Sequence, residues 1–220
     1  MQSDNTLLVD SVHLEFGKLQ VLQSAFITAR TGRVTGVLGR NGTGKSCLFK
    51  CIMGGIRPQN IFIRFNDEQE TDYGHIGKRI KYLPQHFFIP ENMTLGEAFA
   101  LYGVDYDGLV TFDPKFHTYQ RMKPKELSGG EVRIAEMYLI LNSNAEFCIL
   151  DEPFSNVAPK YVEKMQELIQ QHKADKGIII SDHMYESVIG ITDDLFLLRD
   201  GYTFPIRSRE DLIHHGYILR

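Results

Sequence analysis

Eight consecutive residues, Gly39-Arg40-Asn41-Gly42-Thr43-Gly44-Lys45-Ser46, constrain this chain more than any other stretch of it. They complete a G-x-x-x-x-G-K-[ST] pattern. Glycines at these places let backbone N–H groups wrap phosphate oxygens, Lys45 reaches the terminal phosphates, and Ser46 offers a hydroxyl to Mg2+. The pattern needs a buried strand before it and a helix after it. Residues 33–38, Arg-Val-Thr-Gly-Val-Leu, form a short β-rich apolar run, and 45–53 continue without a breaker to a glycine stop at Gly54-Gly55. A helix N-terminus presents unpaired N–H groups and about half a positive charge, the setting a polyphosphate needs. A glycine-rich turn that matched by chance would lack both flanks. The loop reads as a nucleotide site, and Cys47, directly after Ser46, is counted with it.

Residues 147–153, Phe-Cys-Ile-Leu-Asp-Glu-Pro, describe a buried strand that delivers two acids at its C-terminal edge. That edge is where open α/β sheets bind ligands. Asp151 is placed to hold Mg2+ through a water, complementing Ser46, because magnesium takes few protein ligands and keeps several waters. Glu152, one residue on, lies beyond the metal's own shell and is the candidate general base for an attacking water. An acidic pair at a strand end is commonly just solvated. Lys45 upstream and the run Leu127-Ser128-Gly129-Gly130-Glu131 shortly before the strand favour the functional reading.

Composition narrows the class. With 220 residues the chain is long enough for one or two domains with a proper core, and 43% apolar and 24% charged residues are ordinary globular values. A formal net charge of −4 argues against a nucleic-acid partner, which would leave a basic balance. No run approaches the ~18 apolar residues that cross a bilayer. The polar start Met1-Gln2-Ser3-Asp4-Asn5 is no signal peptide. The expectation is a soluble, cytoplasmic chain that reaches a membrane only through a partner. Cys47, Cys51 and Cys148 make neither a zinc pattern nor an even disulfide set and read as small apolar residues of a reduced core.

The phosphate loop, the run 127–131 and the Asp151-Glu152 pair together resemble the ATPase subunit of an ATP-binding-cassette (ABC) protein. The resemblance covers essentially the whole chain. Stretches such as Asp151-Glu152-Pro153-Phe154 and Ser181-Asp182-His183 look most like the ATPases of lipopolysaccharide export. It implies an α/β P-loop NTPase fold with a parallel-sheet core, an antiparallel β subdomain and a small α-helical subdomain. One domain would span 1–220, with 1–84 and 123–220 forming the core and β part and 85–122 the helical part. The strand-like runs at 6–29 and 60–65 fit the antiparallel part. In 85–122 the aromatics Phe87, Phe88, Tyr102, Tyr106, Phe112, Phe116 and Tyr119 are expected mostly to build that lobe's own core, with a minority exposed for docking.

Several single residues gain a role only from the resemblance. Gln85, after the strand-like run 79–84, matches the glutamine that senses γ-phosphate and Mg2+. His183, ending the run 177–183, matches the histidine that contacts γ-phosphate and supports the transition state. Phe16 matches the aromatic that stacks on adenine, with core packing as the alternative. Leu127, Ser128, Gly129, Gly130 and Glu131 match the signature that completes the ATP site of a second subunit. The implied working unit is a dimer of such chains, a homodimer by expectation, that closes around ATP with Mg2+ and drives an integral membrane transporter subunit. The alternative is a non-transport ABC regulator, an ATP-gated interaction module. One position departs from the family: Ala158 stands where relatives usually carry Asp. Pro159 fits the first position of a helix, so Ala158 would be a poor N-cap, and communication between two sites would be weakened.

Overall fold

The computed structural model describes residues 5–155, 157–182 and 185–218. Alternating apolar and polar residues build β1 (Thr6–Phe16) and β2 (Leu19–Arg30), an antiparallel pair. The period-two pattern of β1 slips between Val9 and Val12, where Ser11 takes φ +53° and a bulge shifts the register, so that both valines face the core. β4 (Asn60–Phe65) and the short β5 (Glu68–Glu70) extend this antiparallel part beyond β1.

The other half of the sheet is parallel. β3 (Val34–Leu38), β7 (Phe147–Asp151) and β8 (Gly177–Ser181) are buried at every position and show no alternation, as central parallel strands covered on both faces should. Two further strands, β6 (Ile80–Leu83), which follows helix α2 (Tyr73–Arg79), and β9 (Asp194–Arg199), lie outside them, and β10 (Tyr202–Ile206) returns antiparallel to β9 and touches β2. The ten strands form one sheet in the order β5-β4-β1-β2-β10-β9-β3-β8-β7-β6. Because β3, β8 and β7 are neighbours and parallel, their C-terminal ends share one edge.

Successive residues of the central strands point into two cores. On one face Val37, Ile149 and Ile179 pack with α1 (Lys45–Ile52), through Leu48, Phe49, Cys51 and Ile52, and with the inner residues of β1 and β2. On the other, Cys148, Leu150, Ile178 and Ile180 pack with α5 (Gly129–Asn142) and α6 (Pro159–Lys173). Between β6 and α5 run α3 (Leu95–Tyr102), α4 (Tyr106–Phe112) and a 3-10 turn at Pro114–Thr118. Thr94 and Glu97 close a reciprocal capping box on α3. The aromatics of this region mostly pack together and onto α5: Phe99 meets Tyr106 at 5.0 Å, and Tyr138 of α5 meets Phe99 at 6.1 Å and Phe112 at 6.0 Å. Of the eight aromatics in 85–122, Phe87 alone is exposed. Among the described residues no helix is long and apolar enough to cross a membrane.

Two sequence expectations about single residues can be read directly. Cys51 and Cys148 are buried, and burial pushes both thiols up to about 12, so they remain protonated and inert. Burial also raises the partly buried Cys47 thiol, which argues against a reactive thiolate there.

Ala158 sits at the N-cap of α6 in extended backbone, with Pro159 following, and no side chain caps the helix. An acceptor at that place would satisfy one of the unpaired N–H groups of the first turn. Ala158→Asp is therefore expected to add about 0.5–2 kcal/mol of stability. In thermal melting of the isolated chain that is a rise of about 1–8 °C. An unchanged or lowered midpoint would show that the missing cap costs nothing here.

Candidate active site

The phosphate loop is shaped by two glycines in particular. Gly44 turns the chain into α1 with φ +101°, a conformation that other residues adopt only under strain. Gly39 lies so close to its surroundings that a Cβ there would stand 2.8 Å from the Leu198 carbonyl oxygen and 2.6 Å from Thr43 Oγ1. Thr43 Oγ1 donates to the Arg40 carbonyl at 2.9 Å and holds the loop's bend. Lys45, the first residue of α1, is 5% exposed, and its Nζ donates to the carbonyls of Gly39 at 2.7 Å and Arg40 at 3.3 Å. Burial lowers its pKa, while Glu152, Asp151 and Asp182 oppose the shift. Three carboxylates thus face one ammonium group.

Phe16, Asn41, Gly42, Gly44, Lys45, Ser46, Cys47, Gln85 and Glu152 line one open cavity of about 610 Å3, together with Leu19 and Val21. Phe16 is 51% exposed at the end of β1, so the alternative that it packs in the core does not hold. It lines the cavity beside Asn41, Gly42 and Gly44. Gln85 Nε2 donates to Glu152 Oε2 at 2.8 Å, which joins two residues that lie 67 positions apart. Glu152 itself has φ +49°, in the left-handed region that only a few per cent of non-glycine residues occupy.

Asp151 is fully buried and stands behind the cavity wall rather than in it. Ser181 Oγ donates to its Oδ1 at 2.7 Å and Tyr82 OH to its Oδ2 at 3.0 Å. Burial, with Asp151 beside it, raises the Tyr82 pKa, so that the phenol stays a donor. Neither residue is apparent from the motifs, because each reaches Asp151 from a neighbouring strand. Asp182 accepts from the Phe154 amide at 3.0 Å and ties the residues after β7 to the end of β8. His183 lies outside the described residues.

Ser128 is the N-cap of α5 and forms a reciprocal capping box with Glu131. Glu131 Oε2 accepts from Ser128 N and Oγ, both at 2.8 Å, and Tyr119 and Lys115 hold its other oxygen. Ser128 and Gly129 are exposed, and none of the residues 127–131 is among those lining the cavity of Lys45 and Glu152. The donor set fits a nucleotide with magnesium: backbone amides and an ammonium for phosphates, and the oxygens of Ser46 and Gln85 at the cavity wall for a hard cation, with the Asp151 carboxylate behind them. Among the described residues no group of three or more acidic, histidine or cysteine side chains could hold a metal alone.

A family model described as "ABC transporter" matches residues 22–155, the stretch that carries the phosphate loop, Gln85, 127–131 and the acidic pair. The chain belongs to this family. The ABC ATPase is 28% identical to the lipopolysaccharide export system ATP-binding protein LptB of Acidithiobacillus ferridurans, over 94% of this chain and 92% of that one. It is 22% identical to a probable sulfate/thiosulfate import ATP-binding protein, CysA of Chlorella vulgaris, over 96% and 94% of the two chains. Its fold matches a solved ATP-binding subunit of an ABC transporter with a TM-score of 0.84 at 21% identity, covering 96% of this chain and 93% of that one.

Proposed function

We propose that this ABC ATPase is the ATP-hydrolysing subunit of a transporter, which closes as a dimer of identical chains around ATP and drives a separate membrane-spanning subunit. The observation that carries this reading is the separation of its two halves. The loop, Gln85 and Glu152 share one cavity, while the 127–131 edge, exposed at Ser128 and Gly129, lies outside that cavity's lining. A second copy would bring its Ser128, Gly129 and Gly130 to this chain's nucleotide, with the first-turn amides of α5 aimed at the γ-phosphate. The capping box leaves Glu131 engaged within its own chain and the glycine backbone open to close approach.

Within one site the roles follow from position. Phe16 stacks on the adenine, and residues 39–46 hold the phosphates through backbone amides and the Lys45 ammonium. Ser46, Gln85 and Asp151 would hold Mg2+, which would neutralise charge on the phosphates. Glu152 takes the proton of the attacking water, and its bond to Gln85 fixes the carboxylate toward the cavity. Cys47 packs beside the loop without chemistry. The helical stretch 85–122, with Phe87 exposed beside Gly129, is the part that meets the membrane subunit, and the chain sits at the inner face of the membrane. The relatives' names include both export and import. What they share is the motor, so no cargo is assigned.

The test is sedimentation of the purified chain with ATP and EDTA, where chelation prevents turnover, against the same chain with ADP. A dimer with ATP and a monomer with ADP is the expected pair of results. A monomer in both, with ATP demonstrably bound, would overturn the shared site.

A further inference from the structure

α5 begins at the 127–131 edge and, within its first two turns, sends two buried charged side chains to the loops of its own chain's active site. Arg133 is 2% exposed. Its guanidinium donates to the carbonyls of Pro84 at 2.6 Å, Asp151 at 2.7 Å, Glu152 at 3.0 Å and Pro153 at 3.4 Å. Glu136, fully buried, takes the amides of Phe88 at 2.6 Å and Ile89 at 3.0 Å on Oε1, and its Oε2 lies 3.7 Å from Arg133. One helix therefore grips the Gln85 loop at its start, through Pro84, and at its end, through Phe88 and Ile89. The same helix grips the chain on both sides of Glu152.

We infer that Arg133 and Glu136 are positioning residues that set the Gln85–Glu152 pair from the helix bearing the signature, so that contact at that helix's N-terminus is transmitted to the chemistry of its own chain's site. This rests on the reading of the cavity as an ATPase site. Glu152 keeps a left-handed backbone, and that conformation persists in a non-glycine residue only where the surroundings over-determine it. The Arg133 fork supplies that restraint on three successive carbonyls. A guanidinium suits such a place because its planar set of donors is rigid, whereas an ammonium is a point charge on a flexible stem. Neither residue lines the nucleotide cavity, so both act through the residues they hold.

The experiment is steady-state ATP hydrolysis by the full chain with Mg2+, paired with fluorescent-ATP titration and melting. For Arg133→Met, kcat is expected to fall at least about tenfold, in line with misplacement of a catalytic group, while KM and nucleotide affinity stay within about twofold. The loss should be much smaller when Gln85 is already alanine, because the two residues act on one pair. Glu136→Ala should lower kcat in the same manner and Glu136→Gln, which retains an acceptor for the two amides, should restore most of it. If Arg133→Met does not fold, Arg133→Lys and the two Glu136 variants carry the test. Wild-type kcat in Glu136→Ala, equal losses in both Glu136 variants, or an effect on KM alone would each overturn the link. A wild-type chain that hydrolyses no ATP would instead overturn the reading of the site itself.

Discussion

Lys45→Ala is expected to weaken ATP binding by at least about a hundredfold, the scale of losing a hydrogen-bonded charge of about 3 kcal/mol. The ammonium is nearly buried, and it is faced by Asp151, Glu152 and Asp182. Removing it takes away the main cation for the β- and γ-phosphates and leaves those carboxylates uncompensated toward a polyanion. The same Nζ bridges the Gly39 and Arg40 carbonyls, so the loop loses an internal tie as well. Titration with a fluorescent nucleotide, with melting as the check that the variant folds, measures the effect. Wild-type affinity in a folded variant would remove residues 39–46 as the phosphate site.

The second large effect is on chemistry rather than binding. Glu152→Gln is expected to retain ATP binding within about twofold and to lower hydrolysis by at least about a hundredfold, the cost of a lost general base. Glutamine preserves the shape, and its amide oxygen can still accept from Gln85 Nε2. What it loses is the ability to take a proton. The variant should therefore accumulate as the ATP-bound dimer in Mg2+, a state the wild type leaves by turnover. Phosphate release and sedimentation read the two halves separately. Near-normal turnover in this variant would move the base to another residue.

The parts of the site that were legible in the sequence are those made by neighbours along the chain. Residues 39–46 declare themselves because strand, loop and helix are contiguous, and β3 and α1 fall where the apolar run and glycine stop put them. Asp151 and Glu152 are legible for the same reason. The supports were not legible. Tyr82 and Ser181 reach Asp151 across strands, and Arg133 donates hydrogen bonds to four backbone carbonyls, which leave no trace in residue identity. One signal existed. Residues 132–141, Val-Arg-Ile-Ala-Glu-Met-Tyr-Leu-Ile-Leu, are apolar except for Arg133 and Glu136, charged residues three apart inside that run. Charges so placed need partners, and the pattern could have been read that way. The position of Phe16 had no such signal, since a residue at the end of an alternating strand can face either core or solvent.

The order of the sheet also ties the site to the folding of the whole chain. β3, which carries the phosphate loop, is paired on both sides with strands from the far end of the chain, β8 and β9, and the acids arrive on β7 beyond β8. No fragment that ends before those strands holds the loop against its acids. Such non-local pairing bears the entropy of closing long loops before it gains contacts, which makes assembly slow. A nucleotide bound at the proposed site needs the assembled sheet, so it would draw the folding equilibrium toward the native state, by about 2.7 kcal/mol when its concentration is a hundred times its dissociation constant. ATP is in this sense a folding ligand for the very motor it powers.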